Sequence, residues 1–215
     1  MGWEKIYAEK GEVQKKPKRI AFDFMKRLKP KSRILDVGCG TGRHLVPFVA
    51  EGHEVTGIDP SSTALRILRK RLKDAGLSAE LKEASFQKLP FRSNSFDAVF
   101  CSDVLHHDML SGCAQGAKEI LRVLKPGGVL AVDLMSIHDS RLSKGTEVEP
   151  NTFVLNDGLE AGVPHHFFSK EEVESIFEGV EKISLKHTNR KSSKEAKTLF
   201  RVDKIGKWVL FARKR

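Results

Sequence analysis

Cysteine, tyrosine and long apolar runs are scarce in this sequence. Its 215 residues include three cysteines and one tyrosine. The three cysteines, Cys39, Cys101 and Cys113, are not spaced as metal ligands are. An odd cysteine count without such spacing argues against a disulfide framework. No apolar run is long enough to cross a bilayer, and the segment from Met1 to Lys5 lacks the apolar core of a signal peptide. We therefore expect a soluble, reduced, cytoplasmic protein with no membrane partner.

Acidic residues are few at both ends of the chain. Residues 182–215 carry 12 Lys or Arg against two acidic residues, and residues 1–33 carry 11 against four. Because the whole chain has a formal net charge of +10, the residues between these ends are net acidic by about 7. Basic ends can bind nucleic acid or an anionic substrate, or form a solvated surface only. The lack of interleaved aromatic residues favours the solvated surface.

The middle of the chain alternates short apolar runs with segments of helical periodicity. This alternation is typical of repeated β-α units around a parallel sheet. The predicted strands are residues 33–37, 54–59, 79–83, 96–101, 128–134, 183–186 and 207–211. The predicted helices are residues 20–28, 44–51, 60–75, 114–124 and 170–177, with a short helical start around Trp3 and Tyr7. A chain of this length without repeats or linkers fits one domain.

One segment breaks this alternation. Residues 136–165 have poor periodicity and contain three glycines and two prolines. An irregular stretch of this length inside a compact domain is usually a lid or a binding loop. We therefore predict an irregular substrate-side insertion over residues 136–168.

A glycine-rich loop follows the first predicted strand of the sheet. Gly38, Gly40 and Gly42 alternate with other residues in Asp36-Val37-Gly38-Cys39-Gly40-Thr41-Gly42. Such a loop lets the backbone approach a ligand and directs a helix N-terminus at it. The spacing differs from the G-x-G-x-x-G of dinucleotide sites, because position 43 is arginine. By itself the loop is also compatible with a simple tight turn.

A carboxylate ends the next predicted strand. Asp59 lies 21 residues after Gly38, where a carboxylate can accept hydrogen bonds from both hydroxyls of a ribose. It could instead cap the helix that Pro60 opens. Because the loop and the acid follow consecutive parallel strands, together they indicate an adenosine pocket.

Four sequence blocks resemble, in order, the motifs of class I S-adenosylmethionine-dependent methyltransferases. Residues 35–42, Leu-Asp-Val-Gly-Cys-Gly-Thr-Gly, resemble motif I, and Val-Thr-Gly-Ile-Asp at 55–59 resembles the strand with the ribose-binding acid. Leu-Pro-Phe-Arg-Ser-Asn-Ser-Phe-Asp-Ala-Val at 89–99 is similar to a block of the type 11 branch. Leu-Arg-Val-Leu-Lys-Pro-Gly-Gly at 121–128 matches the turn before the fifth strand. The resemblance covers about residues 30–134.

This resemblance implies a fold, a cofactor and a reaction. The fold is a doubly wound α/β domain spanning residues 1–215, whose mostly parallel seven-stranded sheet has helices on both faces and an antiparallel last strand. The cofactor is S-adenosylmethionine, and S-adenosylhomocysteine is the product. The methyl group goes to an acceptor that the sequence does not identify.

The resemblance also implies roles for particular residues of the glycine loop and the second strand. Gly38 and Gly40, in a loop completed by Gly42, would meet the methionine part of the cofactor. Asp36 would hold the methionine ammonium group, directly or through water. Asp59 would accept the ribose hydroxyls, and Pro60 would pack beside the adenine.

Other implied cofactor contacts lie further along the chain. Ser85 stands where many relatives have an aspartate that binds the adenine amino group, so this contact is uncharged or is supplied by backbone near Phe86. Cys101 and Ser102 would border the reactive methyl group. Independently of the resemblance, Tyr7 and Trp3 suggest an N-terminal lid whose aromatic face favours a sulfonium cation, and ordinary packing explains the two residues at least as well.

Methyl transfer from a sulfonium sulfur needs positioning more than acid–base chemistry. Holding the nucleophile in line can itself lower the barrier by roughly 7–11 kcal/mol, and a base is needed only if the nucleophile loses a proton early. The sequence therefore assigns no catalytic residue. His106 and His107 are the candidates for a base, although packing or capping of the next helix is the favoured explanation for them.

A second histidine pair precedes the helix predicted at 170–177. His165 and His166, like His106, would face the substrate. The alternative is that the segment only forms a hydrophobic staple of Phe168 against Val173. No Cys or carboxylate arrangement with ligand spacing accompanies the histidines, so we expect no metal.

Several functions remain open at this stage. The leading interpretation is a small-molecule methyltransferase, a monomer or homodimer, with a lid formed by residues 1–30 and 136–168. An RNA or tRNA methyltransferase would use the basic ends. A non-catalytic cofactor-binding protein would keep the same loop. Arg43 and the block at 89–99 disfavour a nicotinamide oxidoreductase.

Overall fold

The computed structural model describes residues 2–13, 15–200 and 202–215. Its strands are β1 (Arg33–Val37), β2 (Glu54–Asp59), β3 (Glu80–Glu83), β4 (Phe96–Ser102), β5 (Leu124–Met135), β6 (Thr146–Glu149), β7 (Thr152–Val154), β8 (Pro164–His166), β9 (Val180–Lys191) and β10 (Lys204–Lys214). Its helices are α1 (Gly2–Lys10), α2 (Arg19–Met25), α3 (Leu45–Ala50), α4 (Ser62–Asp74), α5 (Leu110–Val123), α6 (Lys170–Ile176) and α7 (Lys194–Phe200). None of the helices in this described part is long and apolar enough to span a bilayer.

The main sheet has seven strands in the order β3-β2-β1-β4-β5-β10-β9. Strands β1 to β5 pair in parallel, while β10 runs antiparallel to both β5 and β9. The chain order reverses between β1 and β4, so the carboxyl ends of these two strands border a crevice where α/β sheets bind ligands. The predicted mostly parallel, seven-stranded sheet with an antiparallel last strand is confirmed.

Apolar layers cover both faces of this sheet. Successive residues of a strand point to opposite faces, so Leu35 packs with residues of α5 and α6, whereas Ile34 packs with residues of α2, α3 and α4. Fully burying a side chain of this size stabilises the fold by about 1.5–3 kcal/mol. The two layers therefore fix the sheet and the position of its carboxyl edge.

Helix α4 illustrates how sequence signals set an element. The Ser61 side chain accepts a hydrogen bond from the Ala64 backbone N–H at 3.0 Å and so caps the first turn. Leu65, Leu68 and Leu72 are buried on one stripe of the helix. This helix fixes one side of the glycine loop.

The substrate-side insertion differs from its prediction. Strands β6, β7 and β8 form a small antiparallel sheet within it, so the expectation of irregular structure is wrong there. The side chains of Met135, Phe153 and Phe167 pack together beneath this sheet. Strands of three or four residues are too short to show a two-residue periodicity, which is why the pattern did not reveal them.

The closing strands are also longer than predicted. β9 and β10 each pair over eleven positions, beyond the predicted cores at 183–186 and 207–211. Most of β9 is exposed because it is the edge strand of the sheet, so its polar residues carry no apolar signal. Main-chain pairing, rather than burial, extends these strands.

Candidate functional site

A cavity of about 980 Å³ opens at the carboxyl edge of the sheet. It is bordered by the glycine loop after β1, by the ends of β2 and β4, by α1 and by the substrate-side insertion. Ligand sites typically occupy roughly 300–1,000 Å³. This cavity is therefore large enough for a cofactor and a small second molecule together.

The glycine loop forms one wall of the cavity through Gly38 and Gly40. Both have positive φ, +67° and +52°, which side chains rarely adopt. A Cβ at Gly38 would lie 2.2 Å from Val104 Cγ2, and one at Gly40 would lie 2.6 Å from Tyr7 Oη. Only glycine allows the backbone to border the cavity at these points.

Gly42 has a packing role instead of the predicted cofactor contact. It does not line the cavity, and a Cβ there would lie 2.2 Å from Leu68 Cδ1 of α4. The structure therefore corrects its assignment as a cofactor contact. Gly42 allows the loop to pack closely against α4.

Asp59 joins the second strand to the glycine loop. Its Oδ2 accepts the Gly40 backbone N–H at 2.9 Å, and its Oδ1 accepts the Ser61 backbone N–H at 2.9 Å. Each carboxylate oxygen keeps a second lone pair for a ligand hydroxyl. Burial raises the pKa of Asp59 to about 6. Asp59 and Pro60 both line the cavity, as expected.

Asp36 is buried at the end of β1 and does not line the cavity. Its Oδ2 has no hydrogen-bond partner among the described residues. Burial raises the pKa of Asp36 to about 8. A buried carboxyl oxygen without a partner is costly, and a cationic ligand group would relieve this cost.

The side of the cavity expected to hold adenine contains the two predicted residues. Ser85 and Phe86 both line it. Ser85 Oγ donates to Gln87 Oε1 at 3.1 Å and accepts from the Gln87 backbone N–H at 3.3 Å. The loop after β3 is thus held by its own hydrogen bonds, with Gln87 also on the cavity wall.

At the end of β4 the structure corrects one assignment. Cys101 is completely buried in the core and does not line the cavity. Alternation along the strand turns it away and leaves the next residue, Ser102, on the cavity wall. Burial raises the pKa of the Cys101 thiol, so it stays protonated.

A cluster of charges that the sequence did not reveal lies beside Ser102. Lys18 and Lys207 both contact Asp103 and Asp133: Lys18 Nζ lies 3.1 Å from Asp133 Oδ2, and Lys207 Nζ lies 2.9 Å from Asp133 Oδ1. Arg43 Nη2 lies 2.5 Å from Asp103 Oδ2. Three cations therefore share two carboxylates.

In this cluster, burial and ion pairing shift the pKa values of the charged groups in opposite directions. Burial lowers the pKa of Lys18 to about 8. Burial alone would raise the pKa of Asp133, but Lys18 and Lys207 overcome it and hold that pKa at about 2. Asp103 sits at φ +59°, an unusual conformation for a residue with a Cβ. The cluster fixes the chain as it leaves β4.

Helix α1 joins the two sides of the cavity. Glu4 accepts hydrogen bonds from Ser61 Oγ at 2.5 Å and from Thr63 Oγ1 at 2.6 Å at the start of α4. On the other side, the Trp3 ring lies 5.2 Å from the His107 ring. Tyr7, expected at the cofactor, lines the cavity beside Gly40, and burial raises its pKa.

The two histidine pairs lie side by side in the fold, but only the first pair borders the cavity. His106 and His107 line the cavity, as expected, but His165 and His166 are fully buried and do not. His166 Nδ1 lies 2.7 Å from Thr152 Oγ1, and the neighbouring Phe168 packs in the core with Val173. The structure therefore corrects the direct substrate contact expected of His165 and His166 and matches the staple alternative.

His165 nevertheless reaches the cavity wall through another residue. Its Nε2 lies 3.1 Å from Glu160 Oε2, and Glu160 Oε1 lies 3.7 Å from His107 Nε2. Glu160 lines the cavity and was not predicted. It comes from the insertion, where no periodic pattern marks it.

The comparisons with known proteins agree with this geometry. Residues 34–128 match a family described as a methyltransferase domain. A sterol 24-C-methyltransferase of Gibberella zeae is 40% identical over 111 residues, 49% of this chain and 28% of that protein. A demethylmenaquinone methyltransferase of Listeria welshimeri is 38% identical over 110 residues, 49% of this chain and 45% of that protein. The chain thus spans less than half the length of these two relatives.

A solved structure extends the similarity to nearly the whole chain. An S-adenosylmethionine-dependent methyltransferase of Methanosarcina mazei superposes with a TM-score of 0.76 at 25% identity, covering 93% of this chain and 98% of that one. The resemblance found in the motifs is confirmed: residues 34–128 match the model of a methyltransferase domain, and the solved structure that superposes on most of this chain is an S-adenosylmethionine-dependent methyltransferase. S-adenosylmethionine is accordingly the cofactor that these similarities support.

Proposed function

We propose that this protein transfers the methyl group of S-adenosylmethionine to a small-molecule acceptor. The observation that carries the proposal is the hydrogen bond from Gly40 to Asp59 at the edge of a 980 Å³ cavity. This hydrogen bond places a loop backbone that a ligand can approach closely next to a carboxylate that can accept ribose hydroxyls. The remaining volume leaves room for the acceptor.

The described residues fit this cofactor. Asp59 would accept the ribose hydroxyls, with Ser85 and Phe86 beside the adenine. Gly38 and Gly40 would border the methionine part, and the unpartnered oxygen of Asp36, which lies behind the loop and does not line the cavity, would attract its ammonium group through water.

The cofactor, when bound, supplies a methyl carbon already activated by its positive sulfonium sulfur. The protein then has to orient the acceptor and exclude water. Tyr7 places its hydroxyl oxygen beside Gly40, where the methionine part of the cofactor would lie. Trp3 covers His107 on the acceptor side, so α1 would act as a roof over both molecules. Of the histidine pair, we propose His107 as the residue that meets the acceptor.

A thermal-shift comparison tests the cofactor. S-adenosylhomocysteine or S-adenosylmethionine at 100 times its Kd should stabilise the protein by about 2.7 kcal/mol, whereas NAD should not. Asp59→Ala should remove the shift. Asp74→Ala is the matched control, since Asp74 is an exposed residue of α4 that pairs only with Lys70 in the described structure. No shift with either adenosyl compound would exclude the proposal.

An RNA acceptor is the second candidate, because the edge strand β9 exposes a row of basic residues: Lys182, Lys186, Arg190 and Lys191. Contacts between such residues and phosphates weaken steeply as salt rises. The affinity for a small neutral acceptor would change little with salt concentration. Titration with tRNA at about 50 and 200 mM salt separates the candidates, and methylation of tRNA by the labelled cofactor would favour the second.

A further inference from the structure

Three potential metal ligands converge on the acceptor side of the cavity. They come from separate parts of the chain: His107 follows β4, Glu160 belongs to the insertion, and His165 lies in β8. One atom from each lies within 4.8 Å of the other two. All three side chains are at least nine-tenths buried.

The hydrogen bonds of His165 leave its other nitrogen facing a carboxylate. His165 Nδ1 lies 2.8 Å from the carbonyl oxygen of Val163. A carbonyl can only accept, so Nδ1 carries the hydrogen and Nε2 of the neutral ring carries a lone pair. That lone pair lies 3.1 Å from Glu160 Oε2. Two electron-rich atoms at this distance require a cation or a proton between them.

His107 directs a second nitrogen to the same carboxylate. Its Nε2 is buried, has no hydrogen-bond partner in the described structure and lies 3.7 Å from Glu160 Oε1. A hydrogen on each ring can satisfy the two contacts separately, whereas one metal ion would satisfy both contacts at once.

The surroundings supply the outer contacts that metal ligands usually have. The bond from His165 to Val163 fixes the ring so that Nε2 faces inward. Arg141 Nη1 donates to Glu160 Oε2 at 3.3 Å. The charge of Arg141 is itself balanced by Asp139, which it contacts at 2.9 and 3.1 Å. Arg141 therefore orients the carboxylate without making the cluster strongly cationic.

We infer that His107, Glu160 and His165 bind a divalent transition-metal ion, with Zn²⁺ the best match to two imidazoles and one carboxylate. Zinc lies about 2.0–2.2 Å from such ligands, and tetrahedral geometry then separates them by about 3.4 Å. His165 Nε2 lies 3.1 Å from Oε2 of Glu160 and His107 Nε2 lies 3.7 Å from Oε1, on either side of this value. All the ligand atoms lie within 4.8 Å of one another, so binding would draw the two imidazoles closer together. Three protein ligands leave one coordination position, which would face the cavity through His107 and Glu160.

The open position suggests the class of acceptor, and this part rests on the proposed function. A metal ion lowers the pKa of a bound thiol or hydroxyl. The acceptor would release that proton to solvent and attack the methyl carbon through its sulfur or oxygen. The bond from carbon to the sulfonium sulfur breaks, and its electron pair stays on that sulfur.

Zinc binding by the whole chain, without cofactor, tests the site directly. After removal of metals with a chelator, isothermal titration with ZnSO₄ should give one ion per chain with a Kd of about 1 µM or tighter. His107→Ala, His165→Ala and the nearly isosteric Glu160→Gln should each weaken binding by at least about 100-fold. His53→Ala should bind as wild type, because His53 precedes β2 at the opposite edge of the sheet.

The outcomes separate this inference from the proposed function. Absence of zinc binding in a protein that binds S-adenosylhomocysteine would overturn the metal site alone. Unchanged zinc affinity in the three variants would also overturn it, because the ion would then lie elsewhere. Zinc binding without S-adenosylhomocysteine binding would leave the site standing and exclude the proposed function. Cooperative thermal unfolding of each variant verifies that it is folded.

Discussion

The backbone N–H of Gly40 donates a hydrogen bond of 2.9 Å to Oδ2 of Asp59, joining the glycine loop after β1 to the end of β2. The other oxygen of the same carboxylate accepts the Ser61 backbone N–H at 2.9 Å. A single buried side chain thus fixes both the loop and the start of α4. Its loss should affect ligand binding and stability together.

Asp59→Asn tests this dual role. An amide offers one acceptor oxygen and one donor nitrogen, so either Gly40 or Ser61 would face a donor. Leaving one buried N–H unpaired costs about 1–3 kcal/mol, and we expect the free energy of unfolding to fall by that amount. Affinity for S-adenosylhomocysteine should fall at least about 10-fold. Denaturant unfolding and calorimetric titration measure the two effects. Wild-type affinity in the variant would contradict the assigned role.

Gly42→Ala tests whether this glycine serves packing. Gly42 has φ +86° and would place a Cβ 2.2 Å from Leu68 Cδ1. The matched control is Gly52→Ala, with φ +83° and no atom within 4 Å of the added Cβ. Both variants incur the cost of a left-handed residue, about 1–2 kcal/mol, but only Gly42→Ala adds overpacking of about 1–3 kcal/mol. If urea unfolding showed the same loss of stability in both variants, Leu68 would be able to move away from the added Cβ without cost.

Glu4→Gln tests whether α1 closes over the cofactor. Glu4 binds Ser61 and Thr63 at the start of α4, and these bonds lower its pKa. Without the charge, α1 should detach more often and S-adenosylhomocysteine should dissociate faster, as followed by stopped-flow fluorescence of Trp3. Glu9→Gln is the control, because the exposed Glu9 pairs only with Lys5 in the described structure. A dissociation rate unchanged from wild type would argue against a roof held by Glu4.

Asp36→Asn tests the effect of the buried carboxyl on pH dependence. The ordinary aspartate pKa of 3.8 rises to about 8 in the folded protein. Between pH 6.5 and 7.5 the folded state therefore holds a proton at Asp36 that the unfolded state has lost. Stability from this residue is lost as pH rises through this range, by about 1 kcal/mol.

Comparison of the two proteins isolates this contribution. The buried histidines titrate alike in wild type and Asp36→Asn, so their effect cancels in the difference between the two free energies of unfolding. From pH 6.5 to 7.5, the free energy of unfolding of the wild type should fall by about 1 kcal/mol relative to that of Asp36→Asn. Parallel stability curves for the two proteins would mean that Asp36 is ionised throughout.

The sequence by itself determined the parallel strands of the sheet and placed the glycine loop and Asp59 at one edge of it. The strands around Ile34 and Ile58 are apolar because both faces of the sheet are covered, and such runs are visible locally. Gly38 and Asp59 follow adjacent parallel strands, whose carboxyl ends must meet at one edge of the sheet. Local pattern and one topological rule were therefore sufficient to bring them together.

Only the tertiary structure decided the acceptor side. Lys18 meets Asp133 across 115 positions of sequence, and Glu160 lies between two histidines that belong to different elements. Lys18 and Glu160 lie outside the periodic segments, and the spacing of Asp133 within β5 does not indicate which distant residue it pairs with. Burial made such pairing necessary, because an unpaired charge away from water is costly. The long-range fold selected which partners meet.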